Sequence, residues 1–276
     1  MISNIAIFDL STGTATSFLR SDRHLEAPNW MPGDDQLLVN SDGRLFRLPL
    51  EAPRLEPIDT GFARRINNDH GLSPDGRLIA ITDKTETGKA CIYTLPSAGG
   101  TPKRVSENTP SYFHGWSPDG GTITYPAFRH GYDDGADIYI CPADGGPERR
   151  LTFGFDTCDG PDHTPDGAWI WFNGEKNGAV DLWRIRLDGS GLEQMTFDTR
   201  VNWFPHPSPD GAHVLYMSYE PGTEGHPPNR DVDLRLMPAE GGEARILLRL
   251  FGGQGTLNSP CWASDGRRFA FVSYEV

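Results

Sequence analysis

The chain has 276 residues, of which 38 are acidic and 25 basic, and its formal net charge is −13. A charge of this sign repels the phosphates of nucleic acids and of anionic lipids, so we expect no nucleic-acid partner. The longest apolar runs have the length of one strand, whereas a membrane helix needs ~20 apolar residues, so we also expect no membrane insertion. Hydrophobic residues make up 37% of the chain, which predicts a folded core.

The N-terminus, MISNIAIFDL, lacks a basic start followed by an apolar segment and a small-residue cleavage site. This pattern predicts a cytoplasmic protein, or a periplasmic one if a leader has been removed. The cysteines at positions 91, 141, 158 and 261 have no CxxC spacing. We therefore expect buried thiols rather than a disulfide framework or a structural zinc site.

One turn recurs along the chain after a first segment, SNIAIFDLSTGTATSFLR, that alternates like two strands. The turn reads SPDG or TPDG in four copies, ASDG in the last and MPGDD in a degenerate first copy. Its second residues lie at positions 32, 74, 118, 165, 209 and 264, which gives spacings of 42, 44, 47, 44 and 55 residues. Pro presets φ, Asp bonds back to the backbone and Gly accepts a positive φ, so each copy predicts a hairpin corner.

Each turn is followed by alternating apolar runs of strand length, such as RLIAIT, AWIWF and AHVLYMS. A further strand pair with a Gly-containing turn completes each repeat, as in DIYICPADGGPERRLTF. Four strands every 40 to 50 residues or so are typical of a β-propeller blade. The sequence therefore predicts an all-β, six-bladed propeller that forms a single domain over residues 1–276. The chain ends two strands into its sixth repeat, so we expect the N-terminal strands to complete the last blade.

The repeats resemble those of the TolB-like family of WD40-like, PD-type (PD40) propellers. The resemblance rests on WSPDG at 116–120, DIYICPADGGPERRLTF at 137–153 and LDGSGLEQMTF at 187–197. It covers the whole chain and implies the propeller fold. Similar repeats form the propellers of prolyl oligopeptidases and of oligogalacturonate lyase, in which a metal lies among histidines. No GxSxG nucleophile elbow is present, which excludes a serine peptidase.

Candidate metal ligands come from the position four residues before the second residue of each turn. There the six repeats have Pro28, His70, His114, Pro161, Pro205 and Pro260. Imidazoles on adjacent inner strands, with His206 nearby, could hold a divalent metal such as Mn, Zn or Ni. His206 would face the other side of its strand unless a bulge intervenes. The alternative is that these histidines bond within their own repeats.

The segment FDTCDGPDH supplies candidates for acid–base chemistry. Asp156, Asp159, Asp162 and His163 occur within eight residues, and clustered carboxylates can split their pKa values. We assign the catalytic roles to Asp162 and His163. The alternative is that these Asp and Gly residues only cap turns.

Aromatic and polar residues at the same end of the inner strands are candidates for ligand binding, because rings stack on sugar faces while polar groups bond hydroxyls. Two long loops, at 127–137 and 219–233, should extend the same face. Core packing and plain surface insertions are the alternatives. The predicted ligand-binding residues are Asn68, Asp69, Tyr112, Phe113, Arg200, Asn202, Trp203, His226 and Arg230.

Two functions remain open from the sequence. The favoured one is a binding or scaffold protein, expected to be a monomer, that presents a protein- or carbohydrate-binding face at the channel mouth. The alternative is a metal-assisted carbohydrate lyase or hydrolase resembling oligogalacturonate lyase. An enzyme needs its polar groups to converge on one pocket, whereas a scaffold does not, so convergence is the feature to look for.

Overall fold

The repeated turns are built by local hydrogen bonds. In the copy that begins at Ser73, its hydroxyl donates to Asp75 Oδ1 at 2.7 Å and accepts the Leu78 N–H at 3.0 Å. Gly76 has a φ of 70°, which suits a residue without a side chain. The hydroxyls of Ser117, Thr164 and Ser208 donate in the same way to the Asp two residues later in the chain. Each turn therefore fixes where an inner strand ends and the next strand begins.

The computed structural model describes residues 1–275, which form 23 strands and no helix. The strands make six antiparallel sheets around a central channel, and the predicted all-β, six-bladed propeller is confirmed. No helix in this part of the chain is long and apolar enough to cross a membrane. The first three blades contain β3 (Glu26–Trp30), β4 (Gln36–Ser41), β5 (Arg44–Pro49), β6 (Glu56–Pro57), β7 (Ile66–Leu72), β8 (Leu78–Asp83), β9 (Cys91–Pro96), β10 (Lys103–Arg104), β11 (Gly115–Trp116), β12 (Thr122–Ala127), β13 (Asp137–Pro142) and β14 (Arg149–Arg150).

The fourth and fifth blades follow the same order from the inner to the outer strand. In each blade the first strand lies at the channel, where inner strands of neighbouring blades contact one another. The two blades contain β15 (Thr157–His163), β16 (Trp169–Lys176), β17 (Ala179–Arg186), β18 (Glu193–Gln194), β19 (Val201–Pro207), β20 (His213–Tyr219), β21 (Pro228–Pro238) and β22 (Arg245–Gly253).

The sixth blade joins the two ends of the chain. Its strands are β1 (Ile2–Asp9), β2 (Thr14–Ser21) and β23 (Arg268–Glu275), in the order β2-β1-β23. A single bridge between Trp262 and Phe269 takes the place of the innermost strand. The N-terminal strands thus supply the outer half of the last blade, as predicted, and the ring closes without a free edge at β23.

Apolar side chains fill each interface between neighbouring blades. Ile5, Val39 and Val272, for example, are fully buried where the sixth blade meets the first. Trp171 and Tyr216 are fully buried between the fourth and fifth blades. Because every blade is packed on both faces, the ring is a rigid support for the loops and strand ends at its mouth.

Candidate functional site

The inner strands carry bulges at the end where they enter the channel. The register shifts between Glu26 and Asn29 in β3, between Asp159 and Asp162 in β15, and between Trp203 and His206 in β19. In each bulge one residue has a positive φ, namely Ala27 at 49°, Gly160 at 59° and Phe204 at 55°. A bulge turns the neighbouring side chain away from the ordinary strand direction, and here it directs side chains into the mouth.

Six equivalent positions, one in each blade, line a single cavity of about 580 Å³ at this mouth. They lie six residues before the second residue of each turn, two residues earlier than the positions that the sequence indicated. The volume lies within the range typical of small-molecule sites, ~300–1,000 Å³. The six residues are Glu26, Asn68, Tyr112, Asp159, Trp203 and Asn258.

The cavity has an aromatic side and an amide side. Tyr112 and Trp203 are on the blades that flank Asp159, and the loop residues Phe128 and Tyr132 extend this side. The rings of Phe128 and Tyr132 are 4.6 Å apart, and the hydroxyl oxygens of Tyr112 and Tyr132 are 3.5 Å apart. On the opposite blade Glu26 lies between two amide residues, with two more nearby; these amides are Asn67, Asn68, Gln254 and Asn258.

The two long loops reach this face, as the sequence indicated. Tyr132 belongs to the loop between β12 and β13. Gly225 and His226 belong to the loop between β20 and β21, which is shorter than the predicted 219–233 because β21 begins at Pro228. Gly135 anchors the first loop, because it has a φ of 73° and a Cβ there would lie 1.9 Å from the Asp156 carbonyl oxygen. The loop is therefore held directly against the start of β15, the strand that carries Asp159.

We expect a Gly135→Ala substitution to destabilise the protein by about 2–4 kcal/mol, because it combines a disfavoured φ with a backbone collision. Gly131→Ala is the matched control, since Gly131 also has a positive φ, 114°, but its nearest neighbouring atom is 3.9 Å from the added Cβ. Urea unfolding of both variants measures the difference. Equal losses of stability in the two variants would contradict the close approach at Gly135.

A buried charge cluster forms the floor of the cavity. His114 Nε2 lies 3.2 Å from Asp159 Oδ1 and 3.6 Å from Asp69 Oδ1, and the His114 side chain is only 4% exposed. Asp159 Oδ2 lies 3.5 Å from His226 Nε2. The Phe204 ring stacks on His114 with an interplanar angle of 13°. Four blades thus place two carboxylates and two imidazoles side by side.

The pKa values of the two carboxylates in this cluster are shifted in opposite directions. Burial raises the pKa of Asp69 to about 6, although His114 opposes this change. Burial also acts on Asp159, but His114 and His226 outweigh it and hold the pKa of Asp159 below its usual value. For His114, burial lowers the pKa, whereas Asp159 and Asp69 more than reverse the effect and raise it. Such divergence is common where one group gives a proton and another takes one.

The three histidines predicted as metal ligands do not converge. His70 bonds Asn29 Oδ1 at 3.0 Å through Nδ1 and Asn40 Oδ1 at 3.2 Å through Nε2. Burial lowers the pKa of His70 to about 3, so this ring is neutral where it links the first two blades. Of the three, only His114 lines the cavity.

The third histidine, His206, lies beyond the bulge in β19. Its Nδ1 is 3.0 Å from Asp162 Oδ2, and its Nε2 is 2.8 Å from the Leu257 carbonyl oxygen. Within residues 1–275, no group of three or more His, Cys, Asp or Glu side chains is arranged to hold a metal ion. The rings of His70, His114 and His206, predicted from the sequence as ligands of Mn, Zn or Ni, are thus held apart by separate partners.

Asp162 and His163, predicted as catalytic, also lie outside the cavity lining. Asp162 orients His206 and accepts the His163 N–H at 2.9 Å. Neither ring nitrogen of His163 has a hydrogen-bond partner among residues 1–275, and burial lowers the pKa of this residue to about 4. The bulge accounts for this placement, because it turns Asp159 towards the mouth and Asp162 towards the neighbouring blade.

The predicted ligand-binding residues divide into two groups. Asn68, Asp69, Tyr112, Trp203 and His226 line the cavity. The other four do not line it. Phe113 is in the core, and Asn202 is buried under a turn. Arg200 is ion-paired in a separate groove, and Arg230 is exposed on β21.

Four lining residues were not predicted individually, namely Glu26, Lys84, Phe128 and Gln254, although Phe128 belongs to the long loop that the sequence assigned to this face. Only Glu26 could have been found from the sequence, by comparing the repeats at the position six residues before the turn. The other three lie on loops whose lengths differ between blades.

Comparison with known proteins places this chain in a family. A family model described as TolB beta propeller domain matches residues 113–233. An uncharacterised protein of Agrobacterium fabrum is 50% identical over 275 residues, which cover 99% of this chain and 93% of that protein. The chain belongs to the TolB-like β-propeller family. A solved structure of a putative TolB from Agrobacterium tumefaciens is 49% identical, covers 100% of this chain and 99% of that one, and has a TM-score of 0.97.

A more distant likeness extends to a solved structure of oligogalacturonate lyase in complex with manganese. It is 15% identical with a TM-score of 0.59, and the match covers 90% of this chain and 73% of that one. At this identity the TolB-like propeller shares the fold with the lyase and nothing finer.

Proposed function

We propose that this TolB-like propeller is a binding protein that holds a neutral carbohydrate in the cavity at its channel mouth. The observation that carries the proposal is the ring of equivalent positions, where two carboxylates, two amides and two aromatic residues from six blades face one cavity. Sugar sites combine aromatic surfaces for the apolar face of the ring with polar groups for its hydroxyls.

The exposed surfaces within the cavity fit such a ligand. Tyr112 and Phe128 are partly exposed and Tyr132 is 62% exposed, so their rings are open to stacking. The side chains of Glu26 and Asp159 are each 20% exposed on opposite blades, where they can accept hydrogen bonds from hydroxyls. Trp203 is 3% exposed and lies 4.4 Å from His226, so it supports the wall rather than providing a stacking face.

The charges favour a neutral sugar over an acidic one. Three carboxylates line the cavity, Glu26, Asp69 and Asp159, against the cations Lys84 and His114. Both cations already have local partners, since His114 lies between two of the carboxylates and Lys84 is 5.8 Å from the centre of the Tyr112 ring. A uronate would bring another negative charge to a site without a free cation among these lining residues.

Isothermal titration calorimetry with neutral monosaccharides and disaccharides, and with the matching uronic acids, tests the proposal. We expect neutral sugars to bind, and Tyr112→Ala to weaken binding about fivefold because a stacking ring contributes on the order of 1 kcal/mol. Phe197→Ala is the matched control, since Phe197 is 78% exposed and lies outside the cavity.

The opposite result is equally clear. Binding that is unchanged in Tyr112→Ala but lost in Phe197→Ala would contradict a binding site at Tyr112. A preference for uronic acids would contradict a site for neutral sugars. Heats indistinguishable from dilution for every sugar at millimolar concentration would remove the carbohydrate proposal altogether.

A further inference from the structure

The floor of the cavity contains more than sugar binding requires. Hydroxyls can be bound by amides and exposed carboxylates at its rim, yet Asp69 is 5% exposed and is buried next to a second carboxylate and an imidazole. Burying two carboxylates and a histidine together costs stability through desolvation, and such a cost is tolerated most often at functional sites. The side chain of Asp69 is kept in place by the Asn67 amide, which donates to Asp69 Oδ2.

We propose that Asp69 and Asp159 are a general acid and a general base that hydrolyse a glycosidic bond of the bound sugar. This inference rests on the proposed carbohydrate binding and adds a reaction to it. Both residues line the cavity, and His114 Nε2 lies between them. The two distances to that nitrogen, 3.6 and 3.2 Å, place the carboxylate oxygens no more than about 7 Å apart. This upper limit covers the carboxyl separations of retaining glycosidases, ~5–5.5 Å, and reaches the lower end of the range of inverting ones, ~6.5 Å.

The environments assign the two roles. Asp69 is the more buried of the two and its pKa is raised to about 6, so it can keep a proton for the leaving oxygen. Asp159 is more exposed, and His114 and His226 favour its ionised form. It is therefore the group that takes a proton from water.

The reaction balances with water as the only co-reactant. The Asp69 carboxyl gives its proton to the glycosidic oxygen as the bond between that oxygen and the anomeric carbon breaks. Water forms the new bond to the anomeric carbon and loses a proton to Asp159. The His114 imidazolium then gives its Nε2 proton to Asp69 and takes the proton from Asp159, which restores the starting state. The products are two free hydroxyl compounds.

Hydrolysis of 4-nitrophenyl α- and β-glycosides of glucose, galactose, mannose and xylose tests the inference, together with the methyl glycoside of whichever sugar is cleaved. We expect Asp159→Asn to lower kcat at least about 100-fold on both substrates. Asp69→Asn should spare the 4-nitrophenyl glycoside, whose leaving group needs no proton, but lower kcat on the methyl glycoside at least about 100-fold. Asp35→Asn, at an exposed residue in the first repeated turn and outside the cavity lining, is the matched control.

The pH profile provides a second readout that a structural role would not produce. On the methyl glycoside, activity should fall as pH rises through about 6, where Asp69 loses its proton, and fall again at low pH, where Asp159 gains one. The other groups that face this pair are Glu26, Lys84, Tyr112, His114 and His226. On the 4-nitrophenyl glycoside the fall above pH 6 should disappear.

Calorimetry with the same glycosides separates this inference from the proposed function. A sugar that binds and is not cleaved overturns the hydrolysis and leaves the binding site intact. Cleavage that survives Asp159→Asn, or an equal loss from Asp69→Asn on both leaving groups in a folded variant, also overturns it. If none of the glycosides binds, the inference and the proposed function fail together.

Discussion

Deleting residues 1–21 is expected to abolish cooperative folding of the ring. The deletion removes β1 and β2 and leaves β23 as an unpaired edge strand. It also removes Ile5, Ile7 and Phe8, which are at most 6% exposed in the interfaces on both sides of the sixth blade. Losing one such side chain costs about 2–5 kcal/mol, and a domain has only about 5–15 kcal/mol of stability in total.

Thermal unfolding followed by circular dichroism measures this effect. We expect the full chain to melt in one transition, and the truncated chain to aggregate or to unfold without a sharp transition. Inserting two glycines at Thr12 is the control, because that residue lies in the exposed turn between β1 and β2 and the strands remain. A truncated protein that melts like the full chain would show that the N-terminal strands do not close the ring.

Asp69→Asn is expected to stabilise the protein above pH 7. Burial raises the pKa of Asp69 from its usual 3.8 to about 6, so ionising this carboxyl opposes folding. One pKa unit corresponds to about 1.4 kcal/mol, which gives the variant an advantage of up to about 3 kcal/mol at pH 8. If Asp69 has the proposed catalytic role, this gain is the expected trade of stability for function.

The sign of the pH dependence follows from the raised pKa. The stability linked to Asp69 is fully present below pH 3.8 and is lost as pH rises through about 6. The difference between variant and parent should therefore be small at pH 4 and largest at pH 8, as measured by urea unfolding. Buried His70 and His163, whose pKa values are lowered, affect both proteins alike in the acid range. A difference that is constant between pH 4 and 8, or the same in Asp35→Asn, would contradict the burial effect at Asp69.

The blades could be predicted from the sequence because the turn encodes them locally. Pro, Asp and Gly at fixed positions determine the backbone of the corner, and the hydroxyl of Ser73 or its equivalent completes it. Closure by the N-terminal strands followed from counting strands, since a ring of repeats leaves no edge only when the incomplete last blade is filled. These features depend on short-range patterns, which a single sequence contains.

The cavity was located only approximately because its lining depends on bulges. Regular alternation along β19 would direct His206 to the other side of its strand. The left-handed backbone at Phe204 could not be foreseen, because bulky residues rarely adopt a positive φ. In the fourth blade the lining residue is Asp159, two residues before Pro161 and three before the predicted Asp162, and the equivalent lining residue of the fifth blade is Trp203. Hydrogen-bond partners such as Asn29 and Leu257 come from other blades, so their pairing with His70 and His206 required the structure.

A crystal structure of the protein with its tightest-binding neutral sugar at saturating concentration is the most direct test of the site. We expect a sugar in the mouth cavity, with its ring against Tyr112, Phe128 or Tyr132 and its hydroxyls within hydrogen-bond distance of Glu26 and Asp159. A sugar bound on the outer rim of the blades, with the cavity holding only water, would contradict it.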